Sequence, residues 1–324
     1  MQIFLQFILL IAGLILIIKG ADFLVDGSSA MAKRFNIPEI VIGLTIVSMG
    51  TSAPELIVNI FSSIQGKNEI VLGNIIGSNI VNGMLILGVS ALIYPLVVKK
   101  NTVAKEMPFN IAAVALLYGF ANFSLKNIDS PIISRFEAFL LFLMFCVFMY
   151  YVYTLTKNSN ENSLEIHKMP MYLSFILIIG GLAGLLIGGK ITVDSAVNIA
   201  QFMGVSEKLI ALTIVSIGTS LPELATSVIA ALKKKPDIAV GNVIGSNIFN
   251  ILLIIGISGM INPIKYLPVF NVDLAILFTA TILIIVFMFT GKKHQLGRFE
   301  GGILVVGYIL YIAYLLARDL IFKS

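Results

Sequence analysis

Two acidic side chains stand where an acid is costly. Glu55 and Glu223 lie inside long apolar stretches, each within the pattern LTIVS-x-GTS-x-PEL. An acidic side chain at the centre of a bilayer costs about 2.5–3.5 kcal/mol even on a lenient insertion scale. Two at matching positions call for a partner, and their neighbours point to its chemistry. Thr51 and Thr219 precede the glutamates by four residues, a spacing that sets each pair on one helix face. Ser78 with Asn82, and Ser246 with Asn250, repeat that spacing in the next apolar segment. Carboxylates, hydroxyls and amide carbonyls suit hard cations such as Ca2+ and Na+, whereas zinc or copper would favour nitrogen or sulfur. The chain holds one cysteine, Cys146, and two histidines, His167 and His294, the latter in polar loops. Soft-metal and imidazole chemistry therefore has almost nothing to use. The bland alternative is a pair of protonated or hydrogen-bonded structural acids.

Pro54 and Pro222 directly precede the glutamates. A proline inside a helix supplies no N–H and clashes with the carbonyl four residues earlier, here Gly50 and Gly218. The expectation is that backbone carbonyls near Ser48–Gly50 and Ser216–Gly218 are freed for an ion. Unwound backbone is forbidden against lipid but permitted between helices.

These features recur because the chain is duplicated. Residues 44–82 and 212–250 align without a gap at an offset of 168, and 21 of those 39 positions are identical. The same offset pairs Asp26 with Asp194, Glu39 with Glu207 and Pro95 with Pro263. Gly73, Gly77, Gly241 and Gly245 form small-xxx-small patterns, read as helix packing. GNIIGSN lacks the Lys-Ser/Thr of a phosphate loop.

The elements that must hold these residues are membrane helices. Of 324 residues, 58% are apolar and 12% charged, against roughly 25% charged in a soluble domain. Ten apolar segments are long enough to span, near 3–19, 41–64, 70–98, 107–125, 131–155, 169–189, 208–232, 238–262, 268–290 and 300–317. The first has no basic n-region and no small-x-small cleavage pattern, so it reads as a membrane helix and not as a signal peptide. The expected fold is all-α: ten transmembrane helices as two inverted five-helix repeats, 1–156 and 169–324. An odd number of helices per copy sets the second copy upside down. The polar stretch 157–168 is the expected cytoplasmic linker. Lys and Arg spread over short loops favour both termini outside a cell membrane and argue against nucleic acid. Lys233–Lys235 reads as a cytoplasmic anchor, and Asp22, Asp26 and Asp194 as solvated helix-end charges. With no Trp, interfacial anchoring falls to Tyr.

GTSAPE…GNIIGSNIVN and GTSLPE…GNVIGSNIFN resemble the two alpha-repeats of the calcium/cation antiporter superfamily, especially its sodium/calcium exchanger branch. The likeness covers nearly the whole chain. It implies that helices two, three, seven and eight form the ion core and that helices one and six slide past it. By motif position, Glu55, Glu223, Thr51 and Thr219 would hold Ca2+. Sodium sites would draw on Ser48, Thr51, Ser52, Glu55, Ser78 and Asn82, and on Ser216, Thr219, Ser220, Glu223, Ser246 and Asn250. Ser48 and Ser216 would act mainly through backbone carbonyls. Proton-coupled members tend to carry a carboxylate in the GN motif; here both motifs are neutral, which leans towards Na+. Some branches place Asp where Asn250 stands, so the site is one charge less acidic.

The expected activity is Ca2+/Na+ antiport. A Ca2+/H+ antiporter and a cation channel remain alternatives at this stage. An enzyme is not expected, nor a cofactor or a protein partner. The substrates are Ca2+ and Na+, the solvent is the lipid bilayer, and acid should inhibit by protonating the same carboxylates.

Overall fold

A computed structural model describes residues 2–97, 105–123, 132–157, 169–204, 216–289 and 294–321. Apart from Lys157, the expected linker lies outside them. So do 208–215 of the seventh apolar segment.

The long apolar runs form helices because no other element satisfies its own backbone in a membrane. In chain order they are α1 (Gln2–Arg34), α2 (Glu39–Thr51), α3 (Ala53–Ile64), α4 (Asn68–Ile93), α5 (Met107–Asn122), α6 (Arg135–Lys157), α7 (Met171–Phe202), α8 (Ser216–Thr219), α9 (Leu221–Leu232), α10 (Pro236–Ile261), α11 (Phe270–Phe287) and α12 (Arg298–Ile321). Seven of these are long and apolar enough to cross a membrane, and α2 with α3 makes an eighth if that bent pair is one span. Helices α5 and α9 are apolar but shorter.

Two expected boundaries are corrected. The first and sixth helices do not stop at residues 19 and 189: α1 is 33 residues long and α7 is 32. Asp22 and Asp26 therefore lie within α1, and they are not free helix-end charges. Both carboxylates sit 2.7 Å from Lys233 Nζ at the end of α9. Lys235 is likewise 2.7 Å from Glu39 at the start of α2. Two of the three lysines read as an anchor thus tie helices together. Partial burial works against the charge on Lys233, but the hydrogen bonds to Asp22 and Asp26 outweigh it and raise its pKa.

Helices α1 and α7 run antiparallel in close contact, because small residues recur every two turns along both. Gly13, Gly20 and Gly27 meet Gly188, Gly181 and Ser174. Such stripes let backbones approach in a membrane, where apolar burial alone gives no advantage over lipid.

The two halves of the chain interlock. Helix α12 packs on α4 and α6 packs on α10, with glycines at both crossings: Gly88 against Gly301 and Val305, and Gly256 against Ala138 and Phe142. Gly88 and Gly256 correspond at the offset of 168 and their partners at 163, Ala138 with Gly301 and Phe142 with Val305, so the same contact is made in each half. Short antiparallel pairs accompany them, β1 (Leu96–Val97) with β4 (Gln295–Leu296) and β2 (Ile132–Ile133) with β3 (Ile264–Lys265). Arg135 donates to the carbonyls of Met260 and Ile261, and Arg298 to that of Ile93. Each arginine meets the negative end of a helix from the other half, a favourable charge–dipole arrangement. The repeats are two parts of one core, and neither owns a core of its own.

Candidate cation site

The local sequence breaks the helices where the acids are needed. Pro54 cannot donate a backbone hydrogen bond, and the helix ends at Thr51 and restarts at Ala53 with a bend of 50°. Ser52 occupies the break with φ −83° and ψ 8°. Ser220, before Pro222, does the same between α8 and α9, with φ −89° and ψ 5°. Glu55 and Glu223 consequently sit in the first turns of α3 and α9. There the unpaired N–H groups of a helix start favour negative charge.

The break also changes the expected pairing of Thr51 with Glu55, since the helix no longer runs from one to the other. The polar side chains instead reach across the two halves. Thr51 Oγ1 donates to Asn242 Oδ1 at 3.0 Å, and Asn74 Nδ2 to Thr219 Oγ1 at 3.5 Å. At the offset of 168 these are the same residue pair in each half, with donor and acceptor exchanged. Ser52 Oγ donates to Glu223 Oε1 at 2.8 Å, and Ser246 Oγ to the same oxygen at 3.4 Å. Thr219 and Ser220 of the other half stand beside Glu55.

Both glutamates are 1% exposed. Among the described residues, neither oxygen of Glu55 and not Oε2 of Glu223 receives a hydrogen bond. The hydroxyls of Ser78 and Ser220 and the Oδ1 atoms of Asn82 and Asn250 are also buried and without a partner. Unmet polar atoms are costly in an interior. This set is made of oxygens alone, with two carboxylates and no nitrogen or sulfur, the composition that a hard cation satisfies. No group of three His, Cys, Asp or Glu occurs among the described residues, so such an ion would draw its remaining ligands from neutral oxygens.

Ser48 departs from expectation. Its carbonyl is not freed, because it accepts from the Ser52 N–H at 3.0 Å. Its hydroxyl donates to the carbonyl of Thr45 and lies against Gly245. Ser216 opens α8, and its side chain lies outside the described residues. Gly241 and Gly245 pack as expected, tight against Gly43 and Ser48. Gly73 and Gly77 instead line a cavity of about 490 Å³ that also touches Asn74, Thr219, Asp273 and Arg318.

Several polar residues of the centre escaped the sequence reading. Asn74 and Asn242 hold the threonines, while Asn59 and Ser227 hold those asparagines in turn. Asn79 and Asn247 bridge the halves. All but Asn59 and Ser227 are identical in the duplicated GN-x-x-GSN motif, which was the available signal. The glutamates are also not the only buried acids. Glu137 accepts from the Ser134 N–H at 2.7 Å, Glu106 pairs with the Tyr151 hydroxyl, and Asp273 accepts from Tyr311 at 3.0 Å and Arg318 at 3.1 Å. These acids have donors, whereas Glu55 has none within hydrogen-bonding distance among the described residues. Arg318→Leu is expected to strand Asp273 and lower stability by about 2–3 kcal/mol, below the cost for a fully buried pair because Arg318 is partly exposed. A thermal melt in detergent checks this, with Asp273→Asn added to Arg318→Leu recovering most of the loss.

The geometry agrees with what known proteins show. A family model described as sodium/calcium exchanger protein matches residues 5–154 and 173–317. The chain is 38% identical to CaxA of Alkalimonas amylolytica over 94% of its own length and 96% of that protein's. It is 32% identical to sodium/calcium exchanger MaX1 of Methanosarcina acetivorans, covering 96% of this chain and 98% of the relative. Among solved structures, the sodium-calcium exchanger NCX_Mj soaked with Na+ and Ca2+ superposes with a TM-score of 0.81 at 33% identity, covering 95% of this chain and 98% of that one. With that model matched over most of its length and relatives aligned nearly end to end, the chain belongs to the sodium/calcium exchanger family.

Proposed function

We propose that this protein exchanges Ca2+ for Na+ across a cell membrane by alternating access, with Glu55 and Glu223 as the shared charged ligands. One observation carries the reading: two buried carboxylates, one from each copy of the repeat, face one another's serines with three of their four oxygens lacking a donor. Two ionised glutamates balance one Ca2+ or two Na+. Ca2+ and Na+ then compete for the same charges, and that competition is what forces exchange. A third Na+, as the family resemblance implies, adds one positive charge and makes the cycle electrogenic. An ion-free site with both acids ionised resists crossing, because buried charges without partners are costly. Ten spans in two inverted halves, with both termini outside, is the topology this reading adopts, and α1 with α7 is the pair that slides. No cofactor enters the cycle.

Neutral Asn74 and Asn242 beside the threonines favour Na+ over H+ as counter-ion, since neither amide can carry a proton through the cycle. The test is calcium-45 uptake into proteoliposomes with Na+, K+ and pH gradients imposed one at a time. An outward Na+ gradient should drive uptake, and a potential positive inside should accelerate it. Uptake driven by a pH gradient and indifferent to Na+ would overturn the sodium assignment.

A further inference from the structure

We propose that Asn79 and Asn247 are positioning residues that fix which way the carboxamides of Asn82 and Asn250 face, and thereby present the oxygens of those two side chains to the cation. The inference rests on the reading of Asn82 and Asn250 as ligands. Asn79 and Asn247 are 0% and 2% exposed, and neither is bonded to a carboxylate or a threonine of the centre.

The argument starts from a group that cannot be turned round. Asn79 Nδ2 donates to the backbone carbonyl of Asn247 at 3.2 Å, and a carbonyl only accepts. The amide nitrogen of Asn79 is thereby set, and its Oδ1 must face the other way. That oxygen accepts from Asn250 Nδ2 at 2.9 Å. With its nitrogen committed, Asn250 has only Oδ1 left to offer, and that atom is buried with no partner among the described residues. In the other half Asn82 Nδ2 donates to Asn247 Oδ1 at 3.1 Å, and Asn82 Oδ1 is buried and without a partner among the described residues, so the final link recurs although the backbone anchor is seen only at Asn79. Turning either ligand amide round would set oxygen against oxygen at Asn79 or Asn247 and point an NH2 group at the cation. The four residues pair between α4 and α10, so the orientation of each ligand depends on the opposite half.

The backbone reinforces the arrangement. Asn82 and Asn250 each lie in a π-helical stretch, Val81–Ile86 and Phe249–Ile254, which is a common device at functional sites. The stretch opens just after the GSN run of each half, so the positioning residue lies on ordinary α-helix and the ligand three residues later on the wider turn.

The experiment reads Ca2+ binding to the purified full chain by isothermal titration in Na+-free buffer, where no counter-ion competes and no exchange is needed. Asn79→Leu keeps the bulk and removes both hydrogen bonds, and it should raise the Ca2+ dissociation constant about 3- to 10-fold, the worth of one amide hydrogen bond. In an Asn250→Ala background the same substitution should change affinity no further, because its target is gone. Equal effects in the two backgrounds would show a general structural role and overturn the proposal. Asn247→Leu against Asn82→Ala is the mirror cycle and decides the matter if the first variant does not fold. Unchanged affinity in both Asn250→Ala and Asn82→Ala would sink the ligand assignment and this inference with it. Loss of sodium-driven flux with these binding results intact would count only against the exchange reading.

Discussion

Glu55→Gln should abolish sodium-driven Ca2+ uptake while leaving the fold as stable as before. Few substitutions separate those two outcomes so cleanly. Neither oxygen of Glu55 receives a hydrogen bond among the described residues, so the amide breaks no contact within the protein. It also removes an ionisable group from a fully buried position, where a charge is costly. The ion-free protein should therefore melt at the same temperature or higher. Calcium binding suffers the opposite effect, because a divalent ion is left with one carboxylate. An uncompensated buried charge costs about 3–5 kcal/mol, which is more than 100-fold in affinity. The expected signature is loss of both flux and the Ca2+-induced rise in melting temperature. Glu223→Gln should also stop transport, although its Oε1 already serves two hydroxyls and the amide oxygen can keep them. Wild-type uptake by Glu55→Gln would end the assignment of the paired acids.

The reason so much of this centre could be read from sequence is the duplication. Glu55 and Glu223 stood out because an acid in an apolar run is costly and this one occurred twice at the same offset. Ser52, Ser246 and Thr219 then came with the motif, and the structure sets all three beside a glutamate. What hydropathy could not show is where a helix stops when its charges are paired. The apolar run of α1 ends near residue 19, yet the helix continues to Arg34 because Lys233, distant in sequence, meets Asp22 and Asp26. The same blindness hid Asp273, whose partner Arg318 lies 45 residues away.

Ser48 differs from expectation for a more local reason. Pro54 deprives Gly50, four residues before it, of a backbone donor, and Ser48 lies two residues further back. The Ser48 carbonyl therefore keeps its ordinary helical hydrogen bond from the Ser52 N–H. The asparagines were missed because a neutral amide in a helix carries no cost signal until its partners are known. Asn79 and Asn247 look like any other identical pair until the backbone carbonyl that fixes them is located.

The seam between α1 and α7 should be as sensitive as the ion site, although it binds nothing. A methyl group at Gly181 would stand 2.6 Å from the Leu24 nitrogen and 2.7 Å from the Gly20 carbonyl oxygen. Both are backbone atoms and cannot rotate away. The helices must part, and overpacking of this kind costs about 1–3 kcal/mol. Adjacent Gly180 supplies the control, since a methyl there meets nothing within 4 Å. The consequence reaches the centre through two side chains of α7. Leu182 lies against Gly50 and Val193 against Gly218, the glycines just before the two helix breaks. A displaced α7 therefore disturbs both ligand-bearing turns together. Gly181→Leu should cut the flux at least about 10-fold, the rate equivalent of 1.4 kcal/mol, and Gly180→Leu should transport as the parent does. Calcium affinity, measured separately by titration, should change far less in Gly181→Leu than in Glu55→Gln, because the acids and their serines are untouched. Equal flux in the two glycine variants would show that the close approach of α1 and α7 has no part in transport, and the sliding pair would have to be sought elsewhere in the fold.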